Sequence, residues 1–265
     1  MNYPTLSDLN SPALVSPFGA RRSRGSIGPL AAMISTEPDF RYITANAGRG
    51  EGRPFFTSTL FTREAGEKGA AFAGPYTGAP YAVMLLESLI ASGCEKIFVL
   101  GWCGAISENV KTGDLVVAES ALCDEGTSRH YSDDSAAFPL AAPSRSATGE
   151  LVAGLFRAGL SHKTGRIWTT DGIYRETEKK IDFFRQKGAI AVEMECSALF
   201  SAARYRKQKI AALLVVSDEL SSSSWHPGFR EPRFKQARKD AAQVIRELLS
   251  CDNRHIGYDA PVITP

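Results

Sequence analysis

Apolar and polar positions are most sharply patterned over residues 189–220. Residues 189–192 form a short apolar run that ends in Glu193-Met194-Glu195. A small-residue and apolar stretch follows, and then residues 210–216 are continuously apolar up to Ser217-Asp218. The pattern predicts strand, helix, strand. An unbroken apolar run suits a parallel strand buried on both faces. In open α/β sheets ligands gather at the carboxyl ends of strands. One short segment is therefore expected to aim Glu193, Glu195 and Asp218 at a common rim.

The same reading extends along the chain. Residues 1–28 are rich in Pro, Ser, Gly and Arg without periodicity and predict an arm or loop. Arg21, Arg22 and Arg24 within it suit a solvated basic arm better than an anion site. Residues 31–35 predict a first strand stopped by Glu37-Pro38, and 46–54 a loop with three Gly and two Arg. Residues 55–62 and 69–73 predict the two strands of a hairpin. Apolar positions 82, 83, 85, 86, 89 and 90 have helical spacing, so 81–92 reads as a helix capped by Gly93. Strands are expected at 96–100, 115–122 and 165–170, helices at 147–160, 176–187 and 231–250, and loops at 132–146 and 221–230. No internal repeat interrupts this alternation. The expected fold is α/β: one domain over 29–251, with a mixed, twisted and partly closed central sheet flanked by helices, between the arm and a tail over 252–265.

Composition narrows the class. A 265-residue chain with 43% hydrophobic and 23% charged residues is ordinary for a globular enzyme-sized domain. A net charge of +2, without a basic run interleaved with aromatics, gives no support to a nucleic-acid partner. No segment approaches the roughly 18 apolar residues of a membrane span, and no leader-like start is seen. The five cysteines, at 94, 103, 123, 196 and 251, have no zinc-ligand spacing. A reduced, cytoplasmic protein without a metal is expected.

Chemistry concentrates at strand ends. Residues i and i+2 of a strand face the same way, so Glu193 and Glu195 can share one pocket. A carboxylate can grip a vicinal diol, each such bond contributing roughly 1.5–3 kcal/mol. The competing reading is that the glutamates favour the positive end of the next helix. Ser217-Asp218, taken alone, suits a cap or turn as well as a site. Beside other carboxylates, a partly buried Asp has its pKa raised and can serve as a general acid. Gly101-Trp102-Cys103-Gly104 reads as a turn with exposed amides, and Gly74 to Pro80 as another. Thr127, Ser128, Arg129 and His130 add donors after the strand at 115–122. Trp168, Ile173 and Tyr174 could flank a flat ring, although such aromatics are core by default.

Together these stretches resemble the nucleoside phosphorylase superfamily, from about residue 69 to 249 and in matching order. Val192-Glu193-Met194-Glu195 followed by Ser217-Asp218 is the most specific part. Thr112-Gly113-Asp114 and Thr169-Thr170-Asp171 followed by Tyr174 also fit. The resemblance implies that Glu195 holds the ribose 2′- and 3′-hydroxyls and Met194 packs against the sugar. It places Glu193 near base or sugar, has Asp218 protonate a purine at N7, and has Ser217 help place that acid. Gly101, Trp102, Cys103 and Thr127 would contact substrate. Ile173 stands where the family often has a Phe stacked on the base. Relatives that cleave uridine usually lack the acid found here at 218, which favours a purine.

Two departures concern phosphate, the expected co-substrate and the sole cofactor-like group. Val99 and Trp102 stand where many of these phosphorylases have Arg and Ser or Thr, and no Gly-Asp-Pro-x-Arg loop occurs near residues 30–40. Desolvating a phosphate without an arginine is costly. Arg53, reaching in from a neighbouring subunit, is the candidate replacement, with Arg129 and Arg175 behind it. The expected activity is phosphorolysis of a purine-type nucleoside by a homo-oligomer, either dimer-based, a trimer or a hexamer. Hydrolysis without phosphate, and nucleoside binding without catalysis, are the alternatives. The Gly turns do not match the Gly-x-Gly-x-x-Gly of a nicotinamide site.

Overall fold

The computed structural model describes residues 8–20, 27–63, 69–220 and 224–250. Its first half holds β1 (Leu30–Ile34), α1 (Glu37–Ala45), β2 (Glu51–Phe55), β3 (Ser58–Arg63), β4 (Ala70–Gly74) and α2 (Ala79–Ala91). Then come β5 (Lys96–Ala105), β6 (Leu115–Asp124), β7 (Leu140–Ala141), α3 (Arg145–Arg157), β8 (Lys163–Thr170) and α4 (Glu178–Gln186). The chain closes with β9 (Ala189–Glu193), α5 (Cys196–Tyr205), β10 (Lys209–Glu219), β11 (His226–Pro227) and α6 (Pro232–Leu248).

All eleven strands of the described residues join one mixed sheet. Five of them close on themselves: β5 pairs with β10, β10 with β6, β6 with β8, β8 with β9, and β9 again with β5. From β5 the sheet opens outward through β1, β4, β3 and β2. The expected single α/β domain with a partly closed sheet is what the chain forms. Two apolar layers cover it. One includes Leu85, Leu86 and Leu89 of α2 with Leu199 and Phe200 of α5. The other joins Phe40 of α1, Leu151 of α3 and Phe234, Ile245 and Leu248 of α6. Cys94, Cys103, Cys123 and Cys196 are free thiols buried in this core.

Strands β5 and β10 organise the whole. Their apolar runs are buried almost throughout, as expected for strands covered on both faces. The first half of β5 pairs with β1, and its last two residues pair with β9. Gly101 to Gly104 is consequently not a turn: the strand continues to Ala105 because β10 partners it along its length. Gly104 lies between Val192 of β9 and Asp218 of β10. A Cβ there would sit 2.5 Å from Leu220 Cδ1 and 3.2 Å from Asp218 Oδ2, so any larger residue would push the Leu220 side chain aside.

Local chemistry explains where other elements begin. Gly93 ends α2 as expected, with φ of 105° and its N–H on the Ile90 carbonyl, while the Cys94 N–H reaches Leu89. Glu37-Pro38, read as a strand stop, instead opens α1, since proline suits a first helical turn. The loop expected at 46–54 contains edge strand β2, whose exposed pattern lacks alternation. The 55–62 strand is broken by a two-residue turn at Phe56-Thr57, with Phe56 at φ 58° and neither Gly nor Asn to announce it. Strands β3 and β4 are antiparallel, as the expected hairpin requires. In the arm, Tyr205 donates to the Leu9 carbonyl (2.7 Å) and Arg206 lies over Phe18. Arg21, Arg22, Arg24 and the tail fall outside the described residues.

Candidate active site

A cavity of about 620 Å³ opens where β5, β9 and β10 meet. Glu193, Met194, Glu195, Ser217, Asp218, Trp102, Cys103 and Ile173 all line it. Residues 25 positions apart in sequence thus share one chamber because β9 and β10 flank Gly104 from opposite sides.

The two glutamates at the junction of β9 and α5 are held differently. The strand ends at Glu193, and Glu195 occupies the N-cap position of α5. Glu193 accepts from Thr169 Oγ1 (2.6 Å) and from the backbone N–H groups of Glu195 and Cys196 (both 2.8 Å). It fixes the helix start, the role that favours a carboxylate at the positive end of a helix. Glu195 accepts from the Gly78 N–H at 2.5 Å through Oε1, and its side chain lines the chamber. Burial, and then the charge of Glu193, push the Glu195 carboxyl up to about 8. Burial also raises Glu193, against the hydrogen bonds that favour its charge.

Asp218 follows an irregularity in β10 between Val216 and Asp218. Its Oδ1 accepts from the Ser217 hydroxyl (2.6 Å) and its Oδ2 from Trp225 Nε1 (2.8 Å). Ser217 is itself buried against the Cys103 carbonyl (3.2 Å). Exposed Ile173 and Tyr174, with Trp225 and Phe229, give the chamber flat and apolar walls. Trp168 is core, stacked on Phe184 at 4.4 Å.

Trp102 closes one wall in an unexpected way. Its indole N–H donates to Asp39 Oδ2 (2.6 Å), and Arg238 pairs with the other oxygen of Asp39 (2.6 Å). The Arg238 guanidinium lies 4.8 Å from the indole centroid. The indole therefore stands between this cation and the cavity, whose described lining includes no Lys, Arg or His.

Three expected contacts lie elsewhere. Gly101 is buried in β5 behind Ser35 and Leu214. Thr127 lines a second cavity of about 700 Å³ with Pro17, Phe56, Met84 and Tyr131. Arg53 is exposed on β2, and Arg129 and Arg175 are exposed outside the main cavity. Several lining residues were not singled out by sequence, among them Tyr76, Thr77, Glu176 and Trp225. Tyr76 is buried with no hydrogen-bond partner for its hydroxyl, Thr77 is exposed beside it, and Glu176 and Trp225 sit near Asp218. A tyrosine in a small-residue turn, and a tryptophan in a serine-rich loop after a strand end, were the signals available for two of these. No group of three or more His, Cys, Asp or Glu among the described residues is arranged to hold a metal ion, and no helix among them is long and apolar enough to cross a membrane.

Comparison with known proteins agrees with this geometry. The chain is 29% identical over 174 residues to the guanosine phosphorylase of Halorubrum lacusprofundi, covering 65% of this chain and 71% of that one. It is 31% identical over 164 residues to a DeoD-type purine nucleoside phosphorylase of Aliivibrio fischeri, covering 61% and 67%. The fold superposes on the purine nucleoside phosphorylase of Toxoplasma gondii with a TM-score of 0.72 at 16% identity, over 86% of this chain and 92% of the other. The model of the phosphorylase superfamily matches residues 26–250, and the chain belongs to that enzyme superfamily.

Proposed function

We propose that the chain breaks the N-glycosidic bond of a purine-type nucleoside and passes the ribosyl group to phosphate, releasing free base and ribose 1-phosphate. The observation that carries this reading is the shared chamber of Glu195 and Asp218. Such bonds break through an oxocarbenium-like transition state, and the base leaves poorly unless protonated. Glu195 accepts the sugar hydroxyls, whose hydrogen bonds favour its ionised form, and that charge favours the positive charge developing on the ring. Asp218, steadied by Ser217 and Trp225, delivers a proton to N7. Met194 packs on the sugar, and Ile173, Tyr174 and Trp225 wall the base. The guanosine and purine nucleoside phosphorylase relatives support the purine and the phosphate.

The protein is read as a cytoplasmic homo-oligomer. On this reading Arg53, exposed on edge strand β2, reaches phosphate in a neighbouring copy's cavity. A second reading, with water as acceptor, is favoured by the absence of any cation from the described lining. Incubation with inosine, adenosine, methylthioadenosine and uridine, with and without phosphate, separates the two. Phosphate-dependent purine release is expected. Release that ignores phosphate makes the chain a nucleosidase, and no release from any nucleoside removes both readings.

A further inference from the structure

Four carboxylates line the main cavity: Glu176, Glu193, Glu195 and Asp218. Three are held by the protein. Glu193 is bonded to Thr169 and two backbone amides, Glu195 to Gly78, and Asp218 to Ser217 and Trp225. The Glu176 carboxyl makes no hydrogen bond to any described residue. A half-buried carboxyl facing a chamber without a protein partner is suited to a ligand partner, because buried polar groups are nearly always paired. We propose that Glu176 contacts the heterocycle and is the residue that reads the polar edge of the purine. The inference rests on the nucleoside reading above, which puts the base at the Asp218 end.

Position supports it. Glu176 follows a short turn of 3-10 helix, Ile173–Arg175, whose Ile173 and Tyr174 also line the chamber. Asp218 of β10 is near enough for its charge to act on Glu176. The other charged or titratable groups around it are Lys180 of α4, which is paired with Asp124 at 3.2 Å, Glu193 and Glu195 at the start of α5, Tyr76 before α2, and Tyr174 and Arg175 of its own segment. Burial first, and then Asp218, push the Glu176 carboxyl up to about 7, with Lys180 opposing.

Both forms are therefore present near neutrality, and they ask for different bases. The carboxylate only accepts, which suits the ring N1–H of a 6-oxopurine. The acid donates, which suits the bare N1 of a 6-aminopurine. Preference for inosine over adenosine should rise with pH. The test is the ratio of kcat/KM for inosine to that for adenosine, measured from pH 6 to pH 8 on the full chain and on Glu176→Gln. Where one nucleoside is not turned over, its inhibition constant against the other supplies the ratio. For a group titrating near 7 the ratio of ionised to protonated forms grows about a hundredfold across that range, so the inosine-to-adenosine ratio should rise by up to about a hundredfold in the native protein and stay flat in Glu176→Gln. Glu195 and Asp218 act on both substrates, so their contribution cancels in the ratio. A flat ratio in an active native enzyme, or a slope that survives in Glu176→Gln, overturns the role of Glu176 alone. Absence of base release from every nucleoside overturns the underlying reading instead.

Discussion

The two acidic strand ends that meet at the cavity are anchored differently. At the end of β9 the strand stops, the chain turns into α5, and backbone amides hold both glutamates. At the end of β10 the strand continues past its irregularity, and Asp218 is held by two side chains, a hydroxyl and an indole. Backbone anchors fix a carboxylate in place, as a rigid grip on a sugar requires. Side-chain anchors can exchange partners as a proton moves. Under the proposed reaction, the contrast fits positioning at one end and proton transfer at the other.

The sharpest way to break that contrast is Asp218→Asn. It should lower kcat/KM for purine nucleosides about 10²–10⁴-fold with an unchanged circular dichroism spectrum. Undiminished turnover would move the acid elsewhere. The wall behind Trp102 comes next. Arg238→Met leaves buried Asp39 with an unpaired charge, which costs about 3–5 kcal/mol, read as a fall in Tm. An unchanged Tm would mean the pair holds nothing together.

Glu195→Gln tests the sugar end. Losing a charged hydrogen bond to the diol should lower kcat/KM by about 10–100-fold. Its stability effect has the opposite sign. The carboxyl moves from an ordinary 4.5 to about 8 in the folded protein. The folded state thus keeps a proton that the unfolded state has lost, and native stability falls as pH rises from about 4.5 to about 8. Glu195→Gln should flatten that decline, giving a Tm above native at pH 8 and little different at pH 4.5. A lower Tm at pH 8 would contradict the strained carboxylate pair. The smallest effect is expected from Thr127→Ala. Thr127 lies in the second cavity, so activity should stay within about twofold, and a tenfold loss would show that this cavity joins the reaction.

Much of this was legible in the chain. The apolar runs of β9 and β10 and the acids that end them placed Glu193, Glu195 and Asp218 at one rim, because strand burial and strand ends are local signals. Long-range pairing was not local. Gly101 to Gly104 look like a turn until β10 is known to run beside them, and β2 is a strand because β3 is there to pair with it. The pattern also could not divide the two glutamates, since Glu193 becomes a helix anchor only once α5 begins at Cys196. Trp102 read as a ligand contact and is one wall of the cavity, yet its partners Asp39 and Arg238 lie 63 and 136 residues away. Glu176, inside a polar stretch, gave no signal at all.

The most direct measurement is a crystal structure of the protein with inosine and phosphate. The ribose hydroxyls should lie within hydrogen-bonding distance of Glu195 and the purine N7 within reach of Asp218. A nucleoside bound outside this chamber, or bound with its sugar against Asp218 and its base against Glu195, would contradict the assignment.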